Sequence, residues 1–277
     1  MTHQSPVTSH QSPLLSVVLS TFNEEKNIGD CLKSVKDIAD EIIVFDESSN
    51  DKTREIAENL GAKVFKVKHE ALFHITKQKA IDAATGDWIL QLDADEKITP
   101  TLGEEIRKVI NNSKEKRNGF WIKRKNYFLG HWMKGSGMWP DSTIRLYRKG
   151  KAHLPLVNVH EQAEVEGEVG TLENAMEHYT APTFNKYLIN ANRYTTLTAL
   201  ELEKKKYPVD IFHLLWWSTA KPLWTFLMLF IRHKGIRDGM YGFVFDLFSG
   251  LHFPIAYFKY WQIHNNPSIK TKLINWK

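Results

Sequence analysis

The chain has 277 residues, of which 42% are hydrophobic and 25% are charged, and its formal net charge is +5. These values are ordinary for a globular protein, and the length suffices for one large domain or for a core domain with an appendage. The single cysteine, Cys31, excludes an intramolecular disulfide, which fits a reducing compartment.

The two ends of the chain differ in polarity and charge. The N-terminal stretch 1–13, MTHQSPVTSHQSP, is polar and lacks the apolar run of a signal peptide, so we expect a disordered leader that does not direct export. From Lys204 onward, eleven Lys and Arg residues stand against three acids. A basic region of this kind suits either nucleic acid or an anionic membrane surface.

Four apolar runs in the first hundred residues are typical of strands. They are LLSVVLST (14–21), EIIVFD (41–46), AKVFKV (62–67) and DWILQLD (87–93). A helical pattern follows each run. Gly61 and Gly86 are predicted to end the second and third helices, and Thr99 with Pro100 is predicted to begin the fourth. The alternation predicts a parallel, doubly wound sheet that binds its ligand at the carboxyl ends of the strands.

The pattern changes beyond Asn118. GFWIKRKNYFLGHWM (119–133) and STIRLYRKGKAHL (142–154) are predicted to be β segments with many aromatic and basic residues. We interpret residues 118–180 as the second half of the same domain, which then extends over residues 14–180. A polar helix is predicted over residues 182–206.

Two very apolar segments follow that helix. They are VDIFHLLWWSTAKPLWTFLMLFI (209–231) and GMYGFVFDLFSGLHFPIAYFKYW (239–261). Lys221-Pro222 is expected to break the first, and the second contains an Asp and a His, so neither offers the roughly 18 uncharged residues of a spanning helix. Aromatic residues mixed with Lys and Arg suit the membrane interface. Residues 181–277 are therefore predicted to be a helical region in interfacial membrane association.

Three acids follow the fourth predicted strand: Asp93, Asp95 and Glu96. Carboxylates this close repel one another unless a positive charge lies beside them. A hard divalent cation, Mg²⁺ or Mn²⁺, could supply that charge and also bind substrate phosphates. The alternative is a solvated acidic loop before a helix. A second acidic pair, Asp46-Glu47, ends the second predicted strand and favours the metal interpretation.

The motifs SVVLSTFNEEKNIGDCLKSV, EIIVFDESSNDKT and ATGDWILQLDADE together resemble family 2 glycosyltransferases of the GT-A fold. PDSTIRLYRKGKAHLPLVNVHE and the basic, aromatic tail resemble the lipopolysaccharide-core β-1,4-glucosyltransferase branch. The resemblance implies a mostly parallel, doubly wound sheet with a Rossmann-like nucleotide-binding half. It also implies an inverting, metal-dependent transfer from a UDP-sugar to a hydroxyl of a membrane-linked glycan such as lipopolysaccharide core, at the inner face of the cytoplasmic membrane.

The family's pattern implies roles on the donor side. Thr21, Asn23 and Glu24 would line the nucleotide pocket. Asp46 would accept a hydrogen bond from the base, although a turn acid is the alternative. The family's usual Asp-Asp-Gly-Ser is replaced by 46–49, Asp-Glu-Ser-Ser, and the loss of the glycine could reshape the turn.

The motif that follows the fourth strand would bind the metal and the donor. The resemblance implies that Asp93 contacts the ribose or the metal and that Asp95 holds the metal on the diphosphate. His178 could be a further metal or phosphate ligand, but a lone His is more often structural. Lys77, Gln78 and Lys79 could face the pyrophosphate, but a solvated helix face is the favoured interpretation.

The acceptor hydroxyl must lose its proton as it attacks, so a carboxylate or His must lie within hydrogen-bond reach. Asp141, in WPDSTIRLY, is the preferred candidate, and a turn acid after a proline is the alternative. His160 and Glu161 are the second choice. Arg145 and Arg148 are candidates for the diphosphate, and exposed strand cations are an equal alternative.

Other functions stay open at this point. A polyprenyl-phosphate sugar synthase would share the fold and donor but would need no strong base, because its acceptor phosphate is already ionised. A catalytically silent nucleotide-sugar-binding protein is a second alternative. A nucleotidyltransferase would usually carry a Gly-rich basic loop where this chain has TFNEE. Nucleic acid is not expected as a partner, because the aromatic residues of the tail lie within apolar runs. The oligomeric state is left open.

Overall fold

The computed structural model describes residues 12–70, 73–155 and 162–271. The described residues form two compact units. The first contains the chain up to Arg124 together with Ser142–Glu177, and the second contains Lys125–Asp141 and the chain from His178. The predicted boundaries at 13/14 and 180/181 stay predictions.

One large sheet is built from nine strands in the order β3-β2-β1-β4-β8-β6-β11-β5, with β7 paired to β6. The strands are β1 (Leu15–Thr21), β2 (Glu41–Asp46), β3 (Lys63–Lys66), β4 (Trp88–Leu92), β5 (Glu96–Lys97), β6 (Gly119–Phe128), β7 (His131–Trp132), β8 (Asp141–Arg148) and β11 (Val169–Ala181). β9 (Ala152–His153) and β10 (Glu164–Val165) form a separate pair. The strands β6, β8 and β11 each begin in one unit and end in the other.

The parallel part of the sheet is β3-β2-β1-β4, as the four apolar runs predict. β4 pairs antiparallel with β8, so the sheet as a whole is mixed. β1 and β4 are buried on both faces, because helices cover both sides of a doubly wound sheet. Because β1, β2 and β4 run parallel, their carboxyl ends lie at one edge, where Asp46 ends β2 and Asp93 follows β4.

Four helices alternate with the parallel strands. They are α1 (Ile28–Val35), α2 (Thr53–Asn59), α3 (Phe73–Ala83) and α4 (Pro100–Ile110). The predicted cap is confirmed, because Thr99 Oγ1 accepts from the N–H of Leu102 at 3.3 Å and Pro100 opens α4. Gly61 follows α2 with φ of +85°, as expected of a residue that ends a helix.

Gly86 has a different role from the one predicted. α3 already ends at Ala83, and the N–H of Gly86 donates to Ser16 Oγ at 2.9 Å. A Cβ at this position would lie 2.8 Å from the carbonyl oxygen of Leu14. Glycine is therefore needed here for the close approach of the chain to β1.

The second unit is largely helical. Its helix α5 (Phe184–Lys204) confirms the predicted polar helix and has Thr183 as N-cap. Two longer helices follow, Ile211–Arg232 and Gly239–Asn265, and are called the hairpin below.

The expected break at Lys221-Pro222 is wrong, because the helix continues through both residues. A proline ring collides with the carbonyl four residues before it in a regular α-helix. Trp216–Ala220 form a wider π-helical turn immediately before this position, and that turn gives the ring room. By length and composition, Ile211–Arg232 is long and apolar enough to cross a membrane, contrary to the sequence-based expectation.

Candidate active site

The loops after β1 and β2 are fastened to each other by hydrogen bonds. The N–H of Asn23 donates to Ser49 Oγ at 2.8 Å, and Asn23 Oδ1 accepts from the N–H of Asn50 at 2.8 Å. The N–H of Glu24 donates to Thr53 Oγ1, also at 2.8 Å. The structure therefore holds Asn23 and Glu24 at the edge where the parallel strands end, which is the ligand-binding edge of such sheets.

Asp46 and Thr21 end neighbouring strands, and both are buried. The Asp46 carboxylate accepts from the N–H and hydroxyl of Ser49 and pairs with Arg54 Nη1 at 2.9 Å. The carbonyl of Thr21 accepts from the N–H of Glu47 at 2.8 Å. Asp46 thus stabilises its own turn, and its contact with a nucleotide base stays a prediction.

The turn that lacks the family's glycine keeps the conformation that glycine favours. Ser48 has φ of +61°, in the left-handed region, and its hydroxyl donates to the carbonyl of Val67 at 2.7 Å. Glu47 is buried beside it and pairs with His69 Nδ1 at 2.7 Å. The serine therefore accepts a strained backbone, and the turn retains a left-handed residue.

The acid at the end of β4 is paired with two buried cations. Asp93 Oδ1 lies 2.5 Å from Lys77 Nζ, and Asp93 Oδ2 accepts from Arg145 Nη2 at 2.6 Å. Lys77 and Arg145 are only 7% and 6% exposed, whereas the side chain of Asp93 is 28% exposed. The favoured interpretation of Lys77 as part of a solvated helix face is therefore wrong, because its ammonium is buried against a carboxylate.

The third acid of the motif, Glu96, holds the turn together. Its Oε2 accepts from the N–H of Asp93 at 2.9 Å, and its Oε1 accepts from Arg145 Nη2 at 2.7 Å. Arg124 Nη1 lies 3.7 Å from the same oxygen. Burial alone would lower the pKa of Arg145, but the charges of Asp93 and Glu96 outweigh burial and hold that pKa above its usual value. Protein cations, rather than solvent alone, thus lie against Asp93 and Glu96.

Asp95 is the carboxylate of the motif that the family resemblance assigns to a metal. Within the described ranges, no group of three or more His, Cys, Asp or Glu side chains is arranged to hold an ion. Mg²⁺ is usually bound by one or two carboxylates together with substrate phosphates, rather than by a protein cage. Asp95 is half-buried next to this charge cluster and fits that smaller donor set. The metal roles of Asp93, Asp95 and His178 stay predictions.

In the second unit, two predicted site residues share one partner. Asn126 is buried, and its amide Nδ2 donates to Asp141 Oδ2 at 2.9 Å and to the carbonyl of Met138 at 3.1 Å. Asn126 Oδ1 lies 2.6 Å from His178 Nδ1. Because a carbonyl oxygen can only accept, Nδ1 of His178 carries the proton. Asn126 therefore orients both the candidate base and the histidine.

Several other candidates are placed elsewhere or are not placed. His160 and Glu161 lie outside the described residues. Arg148 stacks on Trp88, with its guanidinium carbon 4.4 Å from the ring centre, and donates to the carbonyl of Glu115 at 2.8 Å. Gln78 accepts from the N–H of Leu154, and Lys79 pairs with Glu70 at the surface. These contacts give Arg148, Gln78 and Lys79 structural partners.

Sequence reasoning missed Asn126 and underrated Lys77. No motif signals Asn126, which is one polar residue in a strand of mixed character. Lys77 had a usable signal, because it belongs to a helix that leads into the D-x-D strand of a doubly wound sheet. Helices in such sheets pack on the strands, so a lysine near the ligand edge can lie inward.

Comparison with known proteins identifies the family. Residues 16–164 match the family model for glycosyl transferase family 2, which is more than half of the chain, and the chain therefore belongs to that family. An uncharacterized glycosyltransferase of Rickettsia bellii is 30% identical over 251 residues, covering 83% of this chain and 80% of its own. The lipopolysaccharide core biosynthesis glycosyltransferase LpsC of Rhizobium meliloti is 26% identical over 257 residues, covering 90% and 93%. The predicted family and enzyme class are confirmed.

Two solved structures illustrate how far the backbone similarity reaches. Staphylococcus aureus TarS 1–349 in complex with UDP-GlcNAc is 16% identical, with a TM-score of 0.48, and the match covers 89% of this chain and 92% of that one. Glucosyl-3-phosphoglycerate synthase from Mycobacterium tuberculosis, with Mn²⁺, UDP and glucosyl-3-phosphoglycerate, is 17% identical, with a TM-score of 0.44 and coverage of 72% and 82%. Both likenesses are distant. Family membership, together with the parallel strands that end at the acidic motif, confirms the predicted GT-A class of fold.

Proposed function

We propose that the protein is an inverting, metal-dependent glycosyltransferase. It moves a sugar from a nucleotide-sugar, a UDP-sugar, to a hydroxyl of a membrane-linked glycan such as lipopolysaccharide core. The observation that carries the proposal is the charge cluster at the end of β4, where Lys77 and Arg145 lie within 2.6 Å of Asp93 beside the half-buried Asp95.

The cluster suits the leaving group of this reaction. A nucleoside diphosphate gains negative charge as the bond to the sugar breaks, and fixed cations in a water-poor site stabilise that charge. Lys77 and Arg145 are held in place by Asp93 and Glu96, so little reorganisation is needed when the charge develops. In the proposal they are the cations that lie nearest the diphosphate.

Asp95 is the residue that would hold Mg²⁺ or Mn²⁺. When bound, such an ion neutralises the diphosphate oxygens and helps the nucleotide to leave. Asp93 contributes by keeping Lys77 and Arg145 in position, because both of its oxygens are engaged by them. In this proposal the two acids of the motif therefore have different tasks.

On the acceptor side, Asp141 accepts the proton of the attacking hydroxyl. Its carboxylate is oriented by Asn126 Nδ2 at 2.9 Å, so a fixed oxygen can receive the proton. The transfer is a single displacement that inverts the anomeric carbon. Thr21, Asn23, Glu24 and Asp46 are proposed to line the nucleotide side of the same reaction.

The acceptor class rests on the relatives and on the helical region. LpsC of Rhizobium meliloti, which matches 90% of this chain, is named for lipopolysaccharide core biosynthesis. The helical second unit carries exposed apolar side chains and a basic excess, as expected for an enzyme that works on a lipid-linked glycan at a membrane. We therefore propose peripheral association with the inner face of the cytoplasmic membrane.

The test is a donor screen with purified protein and a bacterial lipid extract, read as the mass of the product. We expect transfer from one UDP-sugar in the presence of Mn²⁺ or Mg²⁺ and its loss in EDTA. Asp141→Asn should reduce the rate by about a hundredfold or more, because a general base contributes that much. Undiminished transfer by this variant to a lipid phosphate would favour a polyprenyl-phosphate sugar synthase. The proposal would be overturned if the protein neither bound nor hydrolysed any nucleotide-sugar.

A further inference from the structure

The two helices of the hairpin pack against each other in opposite directions. Trp217 stacks on Tyr257 with ring centres 5.8 Å apart, and Phe230 meets Phe243 with ring centres 6.0 Å apart. Midway between these contacts, a Cβ at Gly250 would lie 2.7 Å from the carbonyl oxygen of Pro222. The missing side chain at Gly250 therefore allows the helices to approach closely.

The second helix of the hairpin carries an exposed apolar stripe. Its members recur every three or four residues, which places them on one side of the helix. They are Phe243, Leu247, Leu251, Ile255, Phe258 and Trp261, each 37% to 52% exposed. Soluble proteins rarely leave such a continuous apolar row in water.

The first helix is still more exposed. Its exposed large side chains include Phe212 at 80%, Trp224 at 64% and Ile231 at 64%. Over residues 211–231 and 239–261, all of which the structure describes, no exposed side chain carries a charge. An apolar surface of this length is unusual, because exposed helix faces in water normally carry charges.

The ionisable Lys, His and Asp side chains of these stretches lie on the protein side instead. Lys221 Nζ lies 3.5 Å from the ring centre of Trp217, and Lys259 Nζ donates to Thr195 and Thr196 of α5. Asp246 is fully buried. The two histidines also have partners, Thr198 for His252 and Asp210 for His213. Asp246, Lys259 and His252 are thus turned toward the protein, Lys221 lies against a ring, and His213 pairs with its neighbour Asp210.

Basic residues lie at both ends of the hairpin. Arg232, Lys234 and Arg237 are exposed around its turn. Lys204, Lys205 and Lys206 are exposed at its open end, just before the first helix begins. The opposite side is polar, because α5 packs along the second helix and exposes charges such as Arg193.

We propose that the hairpin lies in the plane of a phospholipid bilayer, with its uncharged face among the acyl chains of one leaflet. Both basic ends then reach the anionic head groups of the same leaflet. A spanning orientation would place one basic end on the far side and would bury the charges of α5 in lipid. Burial of the apolar face therefore drives insertion, and attraction between the basic residues and the anionic head groups strengthens the binding.

A second copy of the chain fits this face less well than lipid does. Both ends of the hairpin are basic, so two faces that pack together would bring basic clusters against each other in either direction. An anionic bilayer complements both ends at once. The inference extends the membrane part of the proposed function, but vesicle binding is measured without donor, metal or acceptor, so the two can fail separately.

The test is flotation of the full chain with vesicles of phosphatidylcholine alone or mixed with phosphatidylglycerol. We expect co-flotation with both, stronger with the anionic mixture, and binding that persists at about 1 M NaCl, where the Debye length is only about 3 Å. Phosphatidylcholine brominated on its acyl chains should quench the tryptophan fluorescence of the wild-type protein, because Trp216, Trp224 and Trp261 are exposed on this face.

Two variants and a control locate the face. Leu223→Asp and Leu251→Asp should each weaken vesicle binding by about tenfold or more, since each removes a leucine that enters the bilayer in this proposal and adds a charge in its place. Phe65→Asp changes an apolar residue of the first unit that is 44% exposed, and it should leave binding unchanged. Circular dichroism and melting confirm that each variant is folded. Absence of binding to phosphatidylcholine, release by salt, or variants that only convert a dimer to a monomer would overturn the proposal.

Discussion

The end of β4 and the hairpin both bury charged side chains, but they do so in opposite ways. At β4, the buried Glu96, Lys77 and Arg145 are packed together with the partly exposed Asp93, and the two acids share Arg145. In the hairpin, the two lysines are held apart from each other, Lys221 against an aromatic ring and Lys259 against hydroxyls and a carbonyl of α5. The first arrangement concentrates charge at a ligand edge, whereas the second removes charge from a surface.

The two regions require different things of their sequences. Buried ion pairs gain little net stability, because desolvation offsets their attraction, so their presence at β4 indicates a demand other than stability. A binding edge for an anionic diphosphate is such a demand. The hairpin instead tolerates charged residues only where the fold can turn them away from the exposed face. The following predictions test the two arrangements, beginning with the largest effect.

Asp95→Ala should have the largest effect on catalysis. If Asp95 holds the metal, its loss should reduce transfer by about a thousandfold, since a catalytic ion is worth several kcal/mol of transition-state stabilisation. Calorimetry with Mn²⁺ and a UDP-sugar should also lose its binding heat. Asp37→Ala, an exposed acid of the same unit, is the control. Full transfer and full binding heat in the Asp95 variant would contradict the assignment.

Arg145→Met tests the paired charges. It leaves Asp93 and Glu96 without their shared cation, and breaking a buried pair should lower the free energy of unfolding by about 3–5 kcal/mol. Arg117→Met is the matched control, because Arg117 pairs with Glu115 with 43% of its side chain exposed and should cost about 1 kcal/mol or less. Urea unfolding measures both. Equal losses of unfolding free energy in the two variants would show that the ion pairs of Arg145 contribute no more to stability than an exposed pair does.

Asn126→Asp tests the positioning of Asp141. The change removes the amide donor that Asn126 Nδ2 offers to Asp141 Oδ2 and replaces it with an acceptor, so Asp141 loses the hydrogen bond that orients it. We expect kcat to fall by about tenfold or more while KM for the donor changes little, because a general base acts only when it is within reach of the attacking hydroxyl. Asn190→Asp, on α5 of the same unit, should leave both constants unchanged. An unchanged kcat in the Asn126 variant would leave this residue a structural role only.

The sequence predicts the regular part of the fold well, because local patterns determine it. The four parallel strands, the cap at Thr99 and the helix over Phe184–Lys204 each follow from residues that are neighbours in the chain. The continuation of the helix through Pro222 could not be predicted in this way. It depends on a π-helical turn, and single-residue rules treat proline as a helix breaker.

The candidate site is predictable only in part, because the partners of each site residue are distant from it in the sequence. The position of Asp93 follows from the strand before it, but its pairing with Arg145 joins residues that are 52 positions apart. The same holds for Asn126, whose partner His178 lies 52 positions away. No periodicity in the sequence predicts such contacts, because they form only when β6, β8 and β11 join one sheet.

The smallest predicted effect concerns the turn after β2, which contains Ser48. Ser48 has φ of +61°, and this left-handed conformation costs a residue with a Cβ about 1–2 kcal/mol. Glycine avoids that cost, but the greater flexibility of its unfolded chain lowers the free energy of unfolding by about 0.4–1 kcal/mol. Ser48→Gly and Ser48→Ala both lose the hydrogen bond to Val67. The glycine variant should therefore be more stable than the alanine variant by about 0.5–1 kcal/mol in urea unfolding. At Ser34, inside α1, the order should reverse, because a helix favours alanine over glycine by about 1 kcal/mol. Alanine equal to or better than glycine at position 48 would show that this turn carries no left-handed strain, and that the family's glycine was lost without cost.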